Sequence, residues 1–175
     1  MDFNAIWARV QRAIRLEPGV YAEIGGDQKA TAEALAVAIG ASLISGLGSI
    51  LPGGAAFGFG SWVFAGVVGV PIGLAIGTGF LWLVSRLFGA RGEYINLFRG
   101  LGYASAPQAL GFIPLIGIVG SIWSLVLAIR AVKETQSVSD GQAIAIVLIP
   151  VVISVILFVL IAAAAFVAFL GFADS

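Results

Sequence analysis

The chain has no cysteine and no histidine, and its one methionine is Met1. Without cysteine no disulfide can form, and the redox compartment is left open. Without either residue, haem and zinc sites lack their usual donors, and so does histidine-based proton transfer. Charge is scarce too. Only 10% of the 175 residues are charged, against about a quarter in soluble domains. Nine basic and nine acidic residues cancel formally, so nothing attracts a nucleic acid. No charged side chain interrupts the long apolar runs, where ion-coupled transporters usually keep one. No GxSxG, P-loop or GxGxxG motif is present. Gly100-x-Gly102-x-x-Ser105 fails at its last position and follows no strand. These gaps lead to the expectation of no enzyme, no catalytic residue, no metal ligand and no cofactor.

What is present is apolar: 60% of the chain. From Ala34 to Ser85, from Gly100 to Ile129 and from Gly141 to Ala173 no residue is charged. A bilayer-spanning helix needs about 20 apolar residues. The expected fold is all-α, a polytopic membrane protein of about five spans preceded by an amphipathic interfacial helix. Residues 1–29 would form a cytoplasmic helix and connector, and 30–175 the transmembrane bundle. The spans are expected near 30–50, 60–86, 95–112, 115–133 and 142–171. Leu51-Pro52-Gly53-Gly54 marks the first turn. Pro71 should bend the second span, and Pro114 should fold the 98–134 run back on itself. Residues 99–134 would cross as a hairpin or dip in as a re-entrant pair. With five crossings, all nine basic residues fall on the amino-terminal side. Positive-inside logic then puts the amino terminus in the cytoplasm and the carboxyl terminus outside. The first fifteen residues lack the apolar core of a cleavable signal peptide.

In residues 3–16, Phe3, Ile6, Trp7, Val10 and Ile14 share one helical arc, and Arg9, Arg12 and Arg15 lie opposite. Asp2 can cap this helix, and Pro18-Gly19 stops it. It suits a membrane interface, with the arginines towards phosphates. It equally suits docking on the protein's own cytoplasmic face or on a partner. Residues 17–33 read as a polar connector broken at Gly25-Gly26, with Asp27 capping the next helix. Small residues recur at every fourth position in two spans: Ala34, Ala38, Ser42 and Gly46 in the first, Ala65, Gly69, Gly73 and Gly77 in the second. Such stripes let backbones approach closely in lipid, so the first two spans are expected to meet along them. Tyr103 and Gln108 are expected to hydrogen-bond between helices. Trp7, Trp62, Trp82 and Trp123 should serve mostly as interfacial anchors.

One stretch carries a resemblance. Gly102-Tyr103 followed by Pro107, Ile113-Pro114 with Gly117, Trp123 and the exit Lys133-Glu134 resemble the core of the Yip1 domain family in its bacterial form. Trp7, Leu16-Glu17-Pro18 and Tyr21 resemble its amino-terminal part. The Asp-Leu-Tyr-Gly-Pro signature of the eukaryotic members is absent, so their role in vesicle traffic is not carried over. The resemblance implies a bundle of about five helices in a bacterial cytoplasmic membrane.

The expected function is a non-catalytic membrane scaffold or an accessory subunit of a larger complex. Its partners would be membrane lipids and other transmembrane proteins, or a second copy through helix packing. The alternative is a membrane-shaping or trafficking organiser of the Yip1 type. A small transporter or channel stands third.

Overall fold

The computed structural model describes residues 2–47 and 59–173, all helix and turn. The elements are α1 (Phe3–Ile14), α2 (Val20–Gly26), α3 (Ala30–Gly46), α4 (Phe59–Phe64), α5 (Val70–Leu87), α6 (Tyr94–Ala104), α7 (Pro114–Gln136) and α8 (Asp140–Ala173). A π-helical turn, Ala65–Gly69, joins α4 to α5, and a 3₁₀ segment, Ala106–Phe112, extends α6. Among the described residues three helices are long and apolar enough to cross a membrane: Gly60–Leu87, Leu115–Gln136 and Asp140–Phe166. Ala30–Gly46 is apolar but shorter. The turn expected at Leu51–Gly54 and the end of the first span lie outside the described residues.

Prolines set the helix breaks. Pro71 has no N–H for the carbonyl of Val67, and the helix widens into the π turn just upstream. There Val70 N–H donates to Ala65 O, five residues back. Pro107 lies at the start of the 3₁₀ segment, and α7 begins at Pro114. Pro150 sits inside α8, which continues through it.

Residues 17–33 are not an open connector. Val20, Tyr21 and Ile24 are fully buried and form the inner face of α2. Gly25 does not break this helix. A Cβ there would meet Asn96 and Thr135 at 3.2 Å, so glycine lets α2 lie against α6 and α7. Tyr21, Tyr103, Leu97, Leu127 and Ile146 are among the largest fully buried side chains of the core.

The register follows from the glycine crossings. Arg99 bonds Thr31, Gly102 crosses Ala34, and Gly111 meets Ser45. α3 therefore runs parallel to α6 and its 3₁₀ extension. From Ala34 to Ser45 is eleven helical steps, and from Gly102 to Gly111 nine. The 3₁₀ rise of about 2.0 Å against about 1.5 Å for α-helix keeps the two chains level. α7 runs antiparallel to both: Gly117 meets Gly111, Gly120 meets Pro107, and Gly100 meets Ala131.

The two small-residue stripes do not meet each other. Gly46 lies against Trp62, and Gly66 against Leu43. A Cβ at Gly69, Gly73 or Gly77, by contrast, would touch nothing within 4 Å. The stripe of α3, with Ala34 and Ala38 buried, faces α6 and the 3₁₀ segment instead. The reason is steric: Gly102 presents bare backbone where Ala34 crosses, while the π turn and Pro71 set α5 differently along its length.

Gly102 and Gly73 should therefore respond in opposite ways to an added side chain. A Cβ at Gly102 would lie 2.6 Å from Ala34 Cβ and 2.9 Å from Ala34 O. Gly102→Leu should lower stability by about 1–3 kcal/mol, the usual cost of overpacking. Gly73→Leu should leave the melting temperature in detergent near the parent's. The reverse order in a thermal shift assay contradicts this packing.

Candidate functional site

The starts of α3, α6 and α8 and the ends of α5 and α7 gather at one end of the bundle, where α1 and α2 cover them. Almost every charged group of the described chain is found there. The segment between α5 and α6 closes this end. Trp82 Nε1 donates to Gly92 O at 3.2 Å, and Arg86 donates to Ala90 O at 2.9 Å and to Gly92 O at 3.2 Å. The Arg86 guanidinium also lies over the Trp82 ring, 4.6 Å from its centroid. Gln136 Nε2 donates to Glu93 O at 3.2 Å, and Ser85 Oγ to Gln136 Oε1 at 3.3 Å.

α2 is held at both ends by charges of the sign its dipole calls for. At its start the Glu134 carboxylate accepts from the backbone of Tyr21 at 2.9 Å, with longer bonds from Gly19 and Ala22 at 3.3 Å. Arg130 Nε sits 2.7 Å from the same carboxylate as an ion pair. At its end Arg99 Nη1 donates to Gly25 O at 2.6 Å, while Arg99 Nε donates to Thr31 Oγ1 at 2.8 Å. Arg99 is 7% exposed and has no carboxylate within ion-pair distance among the described residues. The partly negative end of α2 takes that place. Burial, and then the Glu134 charge, push the Tyr21 phenol well above its ordinary pKa.

α1 docks through charge as well as through Val10 and Ala13, which are buried. Asp2 caps it by accepting from Asn4 N–H. Arg9 pairs with Glu33 at 2.6 Å, Asp27 at 2.9 Å and Glu23 at 3.6 Å. Arg12 pairs with Glu23 at 2.9 Å and Glu17 at 3.0 Å. Tyr103 of α6 donates its hydroxyl to Glu33 at 2.6 Å. The Glu33 carboxylate thus joins α1, α3 and α6. The Lys29 amide first, and Arg9 after it, hold the Asp27 carboxyl below its usual range.

The sequence-predicted residues separate into three groups. Arg9 and Arg12 turn to the protein's own carboxylates, and Arg15 has no ion pair among the described residues. Ile6 and Ile14 are half-buried, and Trp123 reaches α1 by donating Nε1–H to Ile14 O at 3.2 Å. Phe3 and Trp7 stay 77% and 54% exposed, so α1 is docked along one edge and bare along another. Gly102 and Tyr103 face α3, at Ala34 and Glu33, whereas Pro107 and Gly117 lie where the 3₁₀ segment meets α7. Ala38 is buried and Gly46 lies against Trp62 of α4, while Gly69, Gly73 and Gly77 are open. Sequence reasoning missed α2 with its caps Arg99 and Glu134, and the shared carboxylate of Glu33. The signals were a lone arginine inside an apolar helical pattern and the i,i+4 pair of Arg130 with Glu134. Among the described residues no group of three or more acidic side chains could hold a metal ion.

A family model, the Yip1 domain, matches residues 18–170. The chain belongs to the Yip1 domain family. The three long apolar helices and this membership make it an integral membrane protein. The Yip1 match takes in Gly102-Tyr103, Pro107, Pro114, Gly117, Trp123 and Lys133-Glu134, and so both caps of α2. It leaves out α1 and Trp7, Leu16 and Glu17. No curated protein and no solved structure matches the chain. In this Yip1 domain, Tyr103 and Glu134 are ties between helices, and Lys133 pairs with Asp140 at 2.6 Å across the α7–α8 turn.

Glu33→Gln should loosen α1 by removing the charge that Arg9 and Tyr103 share. Hydrogen bonds to charged groups contribute about 1.5–3 kcal/mol, and this one is partly buried. Limited proteolysis within residues 1–19 should become faster while the bundle stays folded. An unchanged cleavage rate would show that Val10 and Ala13 alone hold α1.

Proposed function

We propose that this protein is a non-catalytic membrane scaffold or accessory subunit of the bacterial cytoplasmic membrane, with its amino terminus in the cytoplasm. One observation carries the reading. α8 touches α7 and α5 through Ala143, Ile146 and Val147, which are buried. Beyond Pro150 every side chain from Val151 to Phe166 is exposed. That is about four turns of spanning helix left open by the rest of the described chain. In a bilayer such a surface meets lipid or another transmembrane helix. The polar end supports the same reading. Arg9, Arg12, Glu33, Arg99 and Glu134 there hold α1, α2, α3, α6 and α7 together, which is structural work and not that of a nucleophile beside its base. Membrane proteins or a second copy of the chain are the partners this surface suits. No nucleic-acid partner, metal or cofactor enters the proposal.

The second reading is membrane shaping of the Yip1 type. It rests on the bare edge of α1, where Phe3 and Trp7 stand ready to enter a bilayer surface. Curvature-dependent remodelling of vesicles that is lost in Trp7→Ser would favour it.

Extraction in mild detergent should yield the protein with a stoichiometric membrane partner. Replacing Ile153, Ile156 and Leu160 together by alanine should release that partner. The melting temperature should hold, because these side chains are exposed, at 44%, 53% and 60%. A lone protein that turns over a substrate, with loss of activity in Tyr103→Phe or Gln108→Ala, would overturn the proposal.

A further inference from the structure

The open glycines of α5 have a consequence beyond packing. Gly73 and Gly77 form one wall of a groove of about 300 Å³ between α5, α6 and α7. The groove ends on α5 at Leu81, short of the Ser85–Gln136 hydrogen bond that closes the polar end. Its walls are apolar, but two hydroxyls lie in them without any partner: Thr78 Oγ1 and Ser124 Oγ. Thr78 is 0% exposed and Ser124 6%. A buried hydroxyl without a partner is costly, and more so where no water reaches. Serine and threonine in a spanning helix normally bond the carbonyl one turn back. Two that do not, facing one groove, point to an absent ligand that accepts hydrogen bonds.

The other polar groups narrow the chemistry. Ser105 donates to Gly102 O at 2.6 Å and Ser121 to Gly117 O at 2.9 Å. Their protons are taken, so towards the groove they offer only lone pairs. The Gln108 carboxamide, also at the groove, both donates and accepts. The complementary ligand presents acceptors to Thr78 and Ser124 and a donor to Ser105 or Ser121. No cation and no carboxylate lines the groove, so a phosphate or a free fatty acid would bring in an unpaired charge.

We propose that this groove binds a diacylglycerol-type neutral lipid. Its two ester carbonyls accept from Thr78 and Ser124, and its free hydroxyl donates to the serine lone pairs. The acyl chains, too large for the groove, run out along the bare backbone of Gly73 and Gly77 into the bilayer. Lipid binding in this groove does not depend on the protein being a scaffold.

The test uses the full chain in nanodiscs of phosphatidylcholine with a trace photoreactive diacylglycerol probe. Labelled peptides are then mapped. Labelling should concentrate in residues 73–81, 101–108 and 121–128, about tenfold above that of 151–166. A phosphatidic acid probe of the same chain length should not show this concentration. Thr78→Val with Ser124→Ala should cut groove labelling about tenfold, and Gly73→Leu should block it by filling the wall. Gly73→Leu also guards against a double variant that fails to fold, since its side chain enters open space. Even labelling along α8 and the groove overturns the proposal. So does equal labelling by both probes, or labelling indifferent to Gly73→Leu; ordered water then satisfies the two hydroxyls.

Discussion

Seven residues of helix, α2, are clamped between a carboxylate and a guanidinium, and the polar end of the bundle depends on that clamp. A helix this short is marginal by itself. Glu134 meets its partly positive end and Arg99 its partly negative end, so charge and helix dipole reinforce each other. Glu134 belongs to α7 and Arg99 to α6, so the clamp fixes the two arms of the hairpin at their polar ends. Arg99 continues to Thr31 of α3. Arg9 of α1 and Tyr103 of α6 meet on Glu33, the residue before Ala34, where the Gly102 backbone crosses. Five helices are thus tied within a few turns.

Below this end the logic changes. The spanning parts of α5 and α8 have few internal neighbours, and their apolar side chains face outward. A soluble protein would not tolerate such surfaces, but in lipid they cost nothing by exposure alone. The molecule therefore divides its labour by depth. Hydrogen bonds and ion pairs position the hairpin near one face, and the rest of the bundle offers surface to the bilayer. Partner binding through α8 and lipid binding in the α5–α6–α7 groove would use different parts of that surface.

Much of this was legible in the amino acids. Uncharged runs announce spanning helices because a bilayer tolerates little else, and the prolines mark breaks by their missing donor. Asp2 could be picked out as a cap from its position alone, whereas Asp27, expected to cap α3, ends α2 instead and α3 starts without a side-chain cap. The role of the glycines was not legible. Gly73 and Gly102 look alike in sequence, each in a run of small residues, yet one borders a groove and the other a backbone crossing. The difference comes from the π turn before Pro71 and from the 3₁₀ rise after Ala104, which set what each glycine faces. α2 was hidden for a related reason. The charged residues in and around it, Glu17, Glu23, Asp27 and Lys29, suggest a loop, and its order comes from Glu134 and Arg99, which are distant in the chain.

Hydrogen exchange of the α2 amides tests this account most directly. In the parent protein the amides of residues 21–26 should be protected well beyond those of an isolated seven-residue helix. In Arg99→Met, exchange should accelerate through α2 and also at the start of α3, while the middle of α7 keeps its protection. Protection in α2 that is unchanged by Arg99→Met would contradict the claim that this clamp holds the polar end together.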